Sequence, residues 1–143
     1  MELKALTWDA LVLRVRQNLL DHCGVQADDA LVVAVSGGPD SVCLMELLCD
    51  PQMLPLRLTI AHVNHQLRGT ASDEDEQFVR ERATCHKLPY TTTTCDVRAF
   101  ARTHKRSLED SARQLRYDWL LSVCEDQKAK ALVVAHQADD QAE

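Results

Sequence analysis

The 143-residue sequence predicts an α/β protein with a doubly wound parallel sheet. Short apolar runs rich in β-branched residues occur at 31–35, 58–63 and 131–135, and a fourth β-branched run lies at 90–94. Stretches with helical periodicity separate them, and strands alternating with helices imply a parallel, doubly wound sheet. The first run also breaks at a Gly-rich turn and resumes at 40–48 with helical spacing, giving a strand, loop and helix in succession.

Each element has a local reason. Before the first strand, Trp8, Leu11, Val12, Val15 and Leu19 recur at helical spacing, with Thr7 as N-cap and Gly24 as stop, so an amphipathic helix should cover the core. A second helix should open at Ser72 with Asp73, Glu74 and Asp75 in its first turn, where acids suit the dipole, and end near Leu88 and Pro89. The acidic run 73–76 then reads as a solvated helix start. The third long helix opens with SLED, a capping box in which Ser107 caps and Asp110 reaches back, and should bury Leu108, Ala112, Leu115, Trp119 and Val123. The basic stretch 98–106, with Arg98, Arg102, Lys105 and Arg106, could approach RNA or form a solvated charged face.

Composition narrows the function. One sizeable core fits 143 residues at 45% hydrophobic content, so a single domain over 1–143 is expected. The N-terminal stretch lacks the apolar run of a signal peptide, and nowhere do about 18 apolar residues follow one another, which points to a cytoplasmic protein with no membrane partner. Six cysteines without a CxxC pair read as reduced thiols rather than a zinc or redox site. A net charge of -6 argues against a surface that coats nucleic acid generally, so any RNA contact must be local. The sequence leaves a homodimer open. It stops soon after the fourth expected strand, which suggests a domain incomplete at its C-terminus.

Ligands of open parallel sheets bind beyond the carboxyl ends of the strands. There the sequence SGGPDS supplies Ser36, Gly37, Gly38, Pro39, Asp40 and Ser41: glycines where backbone must approach an anion, hydroxyls and a carboxylate around it, and a helix N-terminus that favours negative charge. It lacks the GxxxxGK[ST] of a Walker A loop. His62 and His65 lie at or just beyond the second strand with Arg68 behind them, where they could serve a ligand or merely stabilise a loop. On the SLED helix, Glu109, Arg113 and Arg116 fall within roughly 60° of one another and could grip phosphate, or Glu109 and Arg113 could pair on a solvated flank. In AHQADDQAE, His136 ends a strand and Asp140 and Glu143 share a helix face, an arrangement suited to magnesium or proton handling, while Asp139 reads as a first-turn acid.

The SGGPDS loop resembles the PP-loop of ATP pyrophosphatases, which have an adenine nucleotide alpha hydrolase-like fold and split ATP between its α and β phosphates. NHQLRG (64–69), SLEDSARQLRYDWL (107–120) and AHQADDQAE (135–143) occur in the order seen in the tRNA(Ile)-lysidine synthetase family, and the resemblance covers essentially the whole chain. It implies a ligase that adenylates the C2 oxygen of the wobble cytidine of tRNA(Ile) with a CAU anticodon, then replaces AMP with free L-lysine. It further implies that Ser36, Gly37, Gly38, Pro39, Asp40 and Ser41 bind ATP, with Asp40 orienting Mg2+. Asp40, Arg113, His136 and Asp140 would be catalytic, with His136 a candidate base. Arg68, Arg116 and Glu143 would contact substrate or tRNA. One departure is Gln137, where the family often has a second histidine. A PP-loop tRNA thiolase and a nonenzymatic nucleotide-binding module are the alternatives; thiolases related to cytidine thiolation commonly need the CxxC cysteines absent here.

Overall fold

The computed structural model describes residues 7–67 and 69–135. Among them the chain runs α1 (Trp8–Asp21), β1 (Ala30–Ala34), α2 (Pro39–Leu48), β2 (Arg57–Asn64), α3 (Thr70–Cys85), β3 (Tyr90–Thr94), α4 (Val97–His104), α5 (Leu108–Gln127) and β4 (Ala131–Val134). The four strands form one sheet in the order β3-β2-β1-β4, with every neighbouring pair parallel. From β1 the chain winds outward through β2 to β3, then crosses back to place β4 on the other side of β1. That reversal between β1 and β4 is the switch point where a crevice opens.

Strand periodicity divides the core. Leu31, Val33 and Val35 join Leu58 and Ile60 on the face covered by Val12 and Leu19 of α1, Met45 of α2 and Val79 and Ala83 of α3. Val32 and Ala61 point the other way, against Leu120 and Val123 of α5. Both faces are therefore helix-covered, which explains why β1 reads as a continuous apolar run. Val12, Val32, Val33 and Ile60 are completely buried, and each such side chain is worth about 1.5–3 kcal/mol relative to an exposed one.

Caps fix the helix starts. Thr7 accepts a hydrogen bond from the Ala10 amide at 3.1 Å, and Ser107 accepts one from the Asp110 amide at 3.1 Å. Two expectations differ from what is found, and one helix was not expected. Periodicity assigns Trp8 and Leu108 to buried faces, yet both are exposed; the Trp8 indole instead donates to Asp50 Oδ2 at 2.7 Å, and Leu108 sits in the first turn of α5, outside its buried stretch of Ser111, Leu120 and Val123. Helix α3 begins at Thr70, so Ser72 is a buried residue of its first turn rather than its cap. The basic stretch 98–106 contains a helix of its own, α4, capped by Asp96 accepting from the Ala99 amide at 3.0 Å and anchored by buried Val97 and Ala101.

Candidate nucleotide site

The strand β1 delivers its chain into the SGGPDS loop at the carboxyl edge of the sheet, and hydrogen bonds fold the loop back on itself. Ser41, 4% exposed, accepts from the Ser36 amide at 3.1 Å and donates to the Gly38 carbonyl at 3.1 Å. Its Oγ also lies 3.0 Å from Ser36 Oγ, which accepts from the Gly38 amide at 3.3 Å. Gly37 has φ +99°, where side chains are strained, and a Cβ there would lie 3.2 Å from the Cβ of Asp75. The loop's glycine is thus required both by conformation and by the approach of α3. Helix α2 starts with Pro39 and has no side-chain cap, leaving its N-terminal dipole available to an anion.

The cleft above this loop, about 520 Å³, extends to the ends of β2 and β4 and is closed by α3 and α5. Its polar lining includes Ser36, Asn64, His65, Ser72, Asp75 and Arg116. His62, 3% exposed, holds the floor: its Nδ1 lies 2.7 Å from the Val35 carbonyl, so that nitrogen must donate, tying the end of β2 to the end of β1 just before the loop. Asn64 ties the next layer. Its Nδ2 donates to Asp73 Oδ1 at 2.9 Å and its Oδ1 accepts from the Gln66 amide at 2.9 Å, so the end of β2 is hydrogen-bonded both to the residue two positions on and to the first turn of α3.

Two cleft atoms stand out. His65 Nδ1 and Arg116 Nε are buried and have no hydrogen-bond partner among the described residues. A buried donor or acceptor left unmade costs about 1–3 kcal/mol, which a polar ligand would recover. Burial, aided by the nearby Arg116 guanidinium, lowers the His65 pKa and so favours its neutral imidazole. The Arg116 guanidinium lies over the Tyr117 ring at 5.0 Å, fixing its direction.

The structure separates the two arginines expected to act as one row. Arg116 lines the cleft, whereas exposed Arg113 lines a separate depression with Arg106, Asp110, Gln114, Tyr117 and Asp118. Asp40 is exposed in the first turn of α2 and lies outside the cleft lining, while Asp75 is in it. The acidic run is therefore more than a solvated helix start. Asp73 accepts from Asn64, Asp75 faces the loop, and Glu76 accepts from Thr92 Oγ1 at 3.2 Å. The three-residue interval from Ser72 to Asp75 places both on one helix face, a spacing visible in the sequence once α3 is known to start at Thr70. Arg68, His136, Asp139, Asp140 and Glu143 lie outside the described residues.

Comparison with known proteins agrees with this geometry. The chain is 44% identical over 135 residues to a tRNA(Ile)-lysidine synthase of Geobacter sulfurreducens, covering 94% of this chain and 29% of that protein. It is 39% identical over 116 residues to the tRNA(Ile)-lysidine synthase of Chlorobaculum tepidum, covering 80% and 35%. The chain thus spans about a third or less of these relatives. In fold it is similar to the U34-tRNA thiolase NcsA of Methanococcus maripaludis, with a TM-score of 0.72 over 93% of this chain and 47% of that one, at 18% identity. The PP-loop domain family matches residues 11–143, and on that match, with the Gly-rich loop at the carboxyl end of β1, the chain belongs to the PP-loop domain family.

Proposed function

We propose that residues 1–143 form the ATP-binding catalytic domain of a tRNA(Ile)-lysidine synthetase, a ligase joining L-lysine to the wobble cytidine of a tRNA with a CAU anticodon. The observation that carries the reading is the self-bonded SGGPDS loop, with Gly37 at φ +99°, in a chain 44% identical to a protein of that name. Its 18% identity to a thiolase supports the fold alone.

The chemistry accounts for the use of ATP. A ring carbonyl oxygen is a poor leaving group, so the C2 oxygen first attacks the α phosphorus, forming a C2–O–AMP bond while the bond to pyrophosphate breaks. The lysine amine then attacks C2, the C–O bond breaks with AMP departing, and the amine proton passes to a base. Ser36, Gly37, Gly38 and Ser41 would cradle the departing pyrophosphate against the N-terminus of α2. The site's oxygen-rich donors fit a hard cation: the carboxylate of Asp75, in the cleft lining beside Gly37, would hold Mg2+ on the phosphates, and Asp40, in the first turn of α2 outside that lining, is the second candidate ligand on sequence grounds. When bound, Mg2+ neutralises phosphate charge. Arg116 and the neutral His65 would direct their unpartnered nitrogens at nucleotide or base atoms entering the cleft. On sequence grounds His136, two residues beyond β4 in the chain, is the proposed base, with Asp140, four residues further along the sequence, a second catalytic group; Arg68 and Glu143 would contact substrate.

The test is to incubate the full-length protein with ATP, lysine and a tRNA(Ile) transcript, digest the RNA and identify the nucleosides by mass. Lysidine at the wobble position is the expected product. An unmodified or thiolated cytidine would sink the reading.

A further inference from the structure

Helix α4 carries a charge pattern that the nucleotide site does not use. Arg98, Arg102 and Lys105 recur at intervals of four and three, which places them within roughly 60° of one another, flanking the buried Val97 and Ala101. These three and Arg106 are all exposed. With Ala101 and Leu108 they line an open groove of about 510 Å³ in which no side chain is acidic. No ion pair among the described residues involves Arg98, Arg102 or Lys105. Arg106 is held in place by donating to Gln114 of α5.

A chain of net charge -6 therefore concentrates four cations along one short helix and its exit. Unneutralised like charges on one face repel, so a surface of this kind gains most from a polyanion. Its position suits one in particular. Strand β3 is in register with the end of β2, Asn64 opposite Thr94, so α4 starts at the same edge of the sheet as the cleft. Helix α5 then leads from the groove at Leu108 to the cleft at Arg116, eight residues or roughly 12 Å along its axis.

We infer that the basic face of α4 is a docking surface for the phosphate backbone of the RNA substrate, holding nucleotides next to the one that enters the cleft. The inference rests on the proposed action on tRNA. It assigns to α4 a sequence-independent grip, distinct from recognition of the reacting base by Arg116 and His65.

The experiment measures binding of a CAU-anticodon tRNA(Ile) transcript by the full-length protein at salt concentrations from about 50 to 200 mM. The variant Arg98→Ala/Arg102→Ala/Lys105→Ala should bind more weakly, and the slope of log affinity against log salt should fall by roughly 2 to 3, about 0.7–0.9 for each phosphate no longer neutralised. Arg98→Lys/Arg102→Lys should keep the wild-type slope, and both variants should bind ATP like wild type, which reports on folding. A triple-alanine variant with unchanged tRNA affinity and slope overturns the docking surface while leaving the proposed function standing. Wild-type protein that binds ATP but no tRNA overturns the functional reading, and the docking surface with it.

Discussion

Replacing Gly37 with alanine tests the loop directly, and Gly24 supplies its control. Both have positive φ, +99° and +66°, but a Cβ at Gly24 meets nothing within 4 Å whereas one at Gly37 meets Asp75 Cβ at 3.2 Å. Gly24→Ala should cost about 1 kcal/mol, the penalty for a left-handed non-glycine residue. At Gly37 the backbone lies beyond the left-handed well, adding about 1–3 kcal/mol of strain, and the crowded atom belongs to the root of Asp75 rather than to a flexible tip. Moving the first turn of α3 adds about 1 kcal/mol, giving about 2–4 kcal/mol in all. With an unfolding entropy of about 2.1 cal/mol/K per residue over 143 residues, each kcal/mol lowers Tm by about 3 °C. Thermal unfolding by circular dichroism should show a fall of about 3 °C for Gly24→Ala and about 7–13 °C for Gly37→Ala. Calorimetric titration should show ATP binding weakened only in the latter. Equal Tm losses with wild-type ATP affinity in both variants would refute the claim that backbone and α3 converge on this loop to receive phosphate.

Three further outcomes are expected. His62→Ala removes the donor to the buried Val35 carbonyl and should cost about 1–3 kcal/mol in urea unfolding, with reduced ATP affinity; an unchanged midpoint would show that this tie is dispensable. Arg116→Ala, in the cleft lining, should reduce tRNA-dependent turnover more than Arg113→Ala, which lies outside it; the reverse ranking would place the reacting groups nearer Arg113. Because the folded-state pKa of His65 lies below its ordinary 6.5, the unfolded chain binds more protons as pH falls through that value. The stability contribution of neutral His65 is therefore present above about pH 6.5 and lost below it, and the wild-type urea midpoint should fall across that window more steeply than that of His65→Gln. Parallel profiles would remove His65 as the cause.

The sequence carried the architecture well because strands buried on both sides leave apolar, β-branched runs. Expected strand 90–94 coincides with Tyr90–Thr94, and the other three agree to within one residue at each end. Caps at Thr7 and Ser107 were legible for the same local reason. The short α4 was not, since only Val97 and Ala101 anchor it among charged neighbours, although Asp96 offered a capping signal. At the site, the loop 36–41 was legible because glycine, proline and hydroxyls at a strand-to-helix junction have few other uses. The role of Asp75 was hidden because it depends on where α3 returns to the sheet, a tertiary relation with no local pattern. Likewise, spacing placed Arg113 and Arg116 on adjoining faces of one helix, but only packing decides which face meets the cleft.

The central claim is that this domain splits ATP between its α and β phosphates to activate a tRNA base. The most direct measurement follows ATP labelled at the α phosphate in the full-length protein, with tRNA(Ile) transcript and lysine each present or omitted. The expected result is AMP and pyrophosphate, with AMP accumulating only when both tRNA and lysine are present and in step with modified nucleoside. Release of ADP and inorganic phosphate, or AMP formed at the same rate without tRNA, would contradict it.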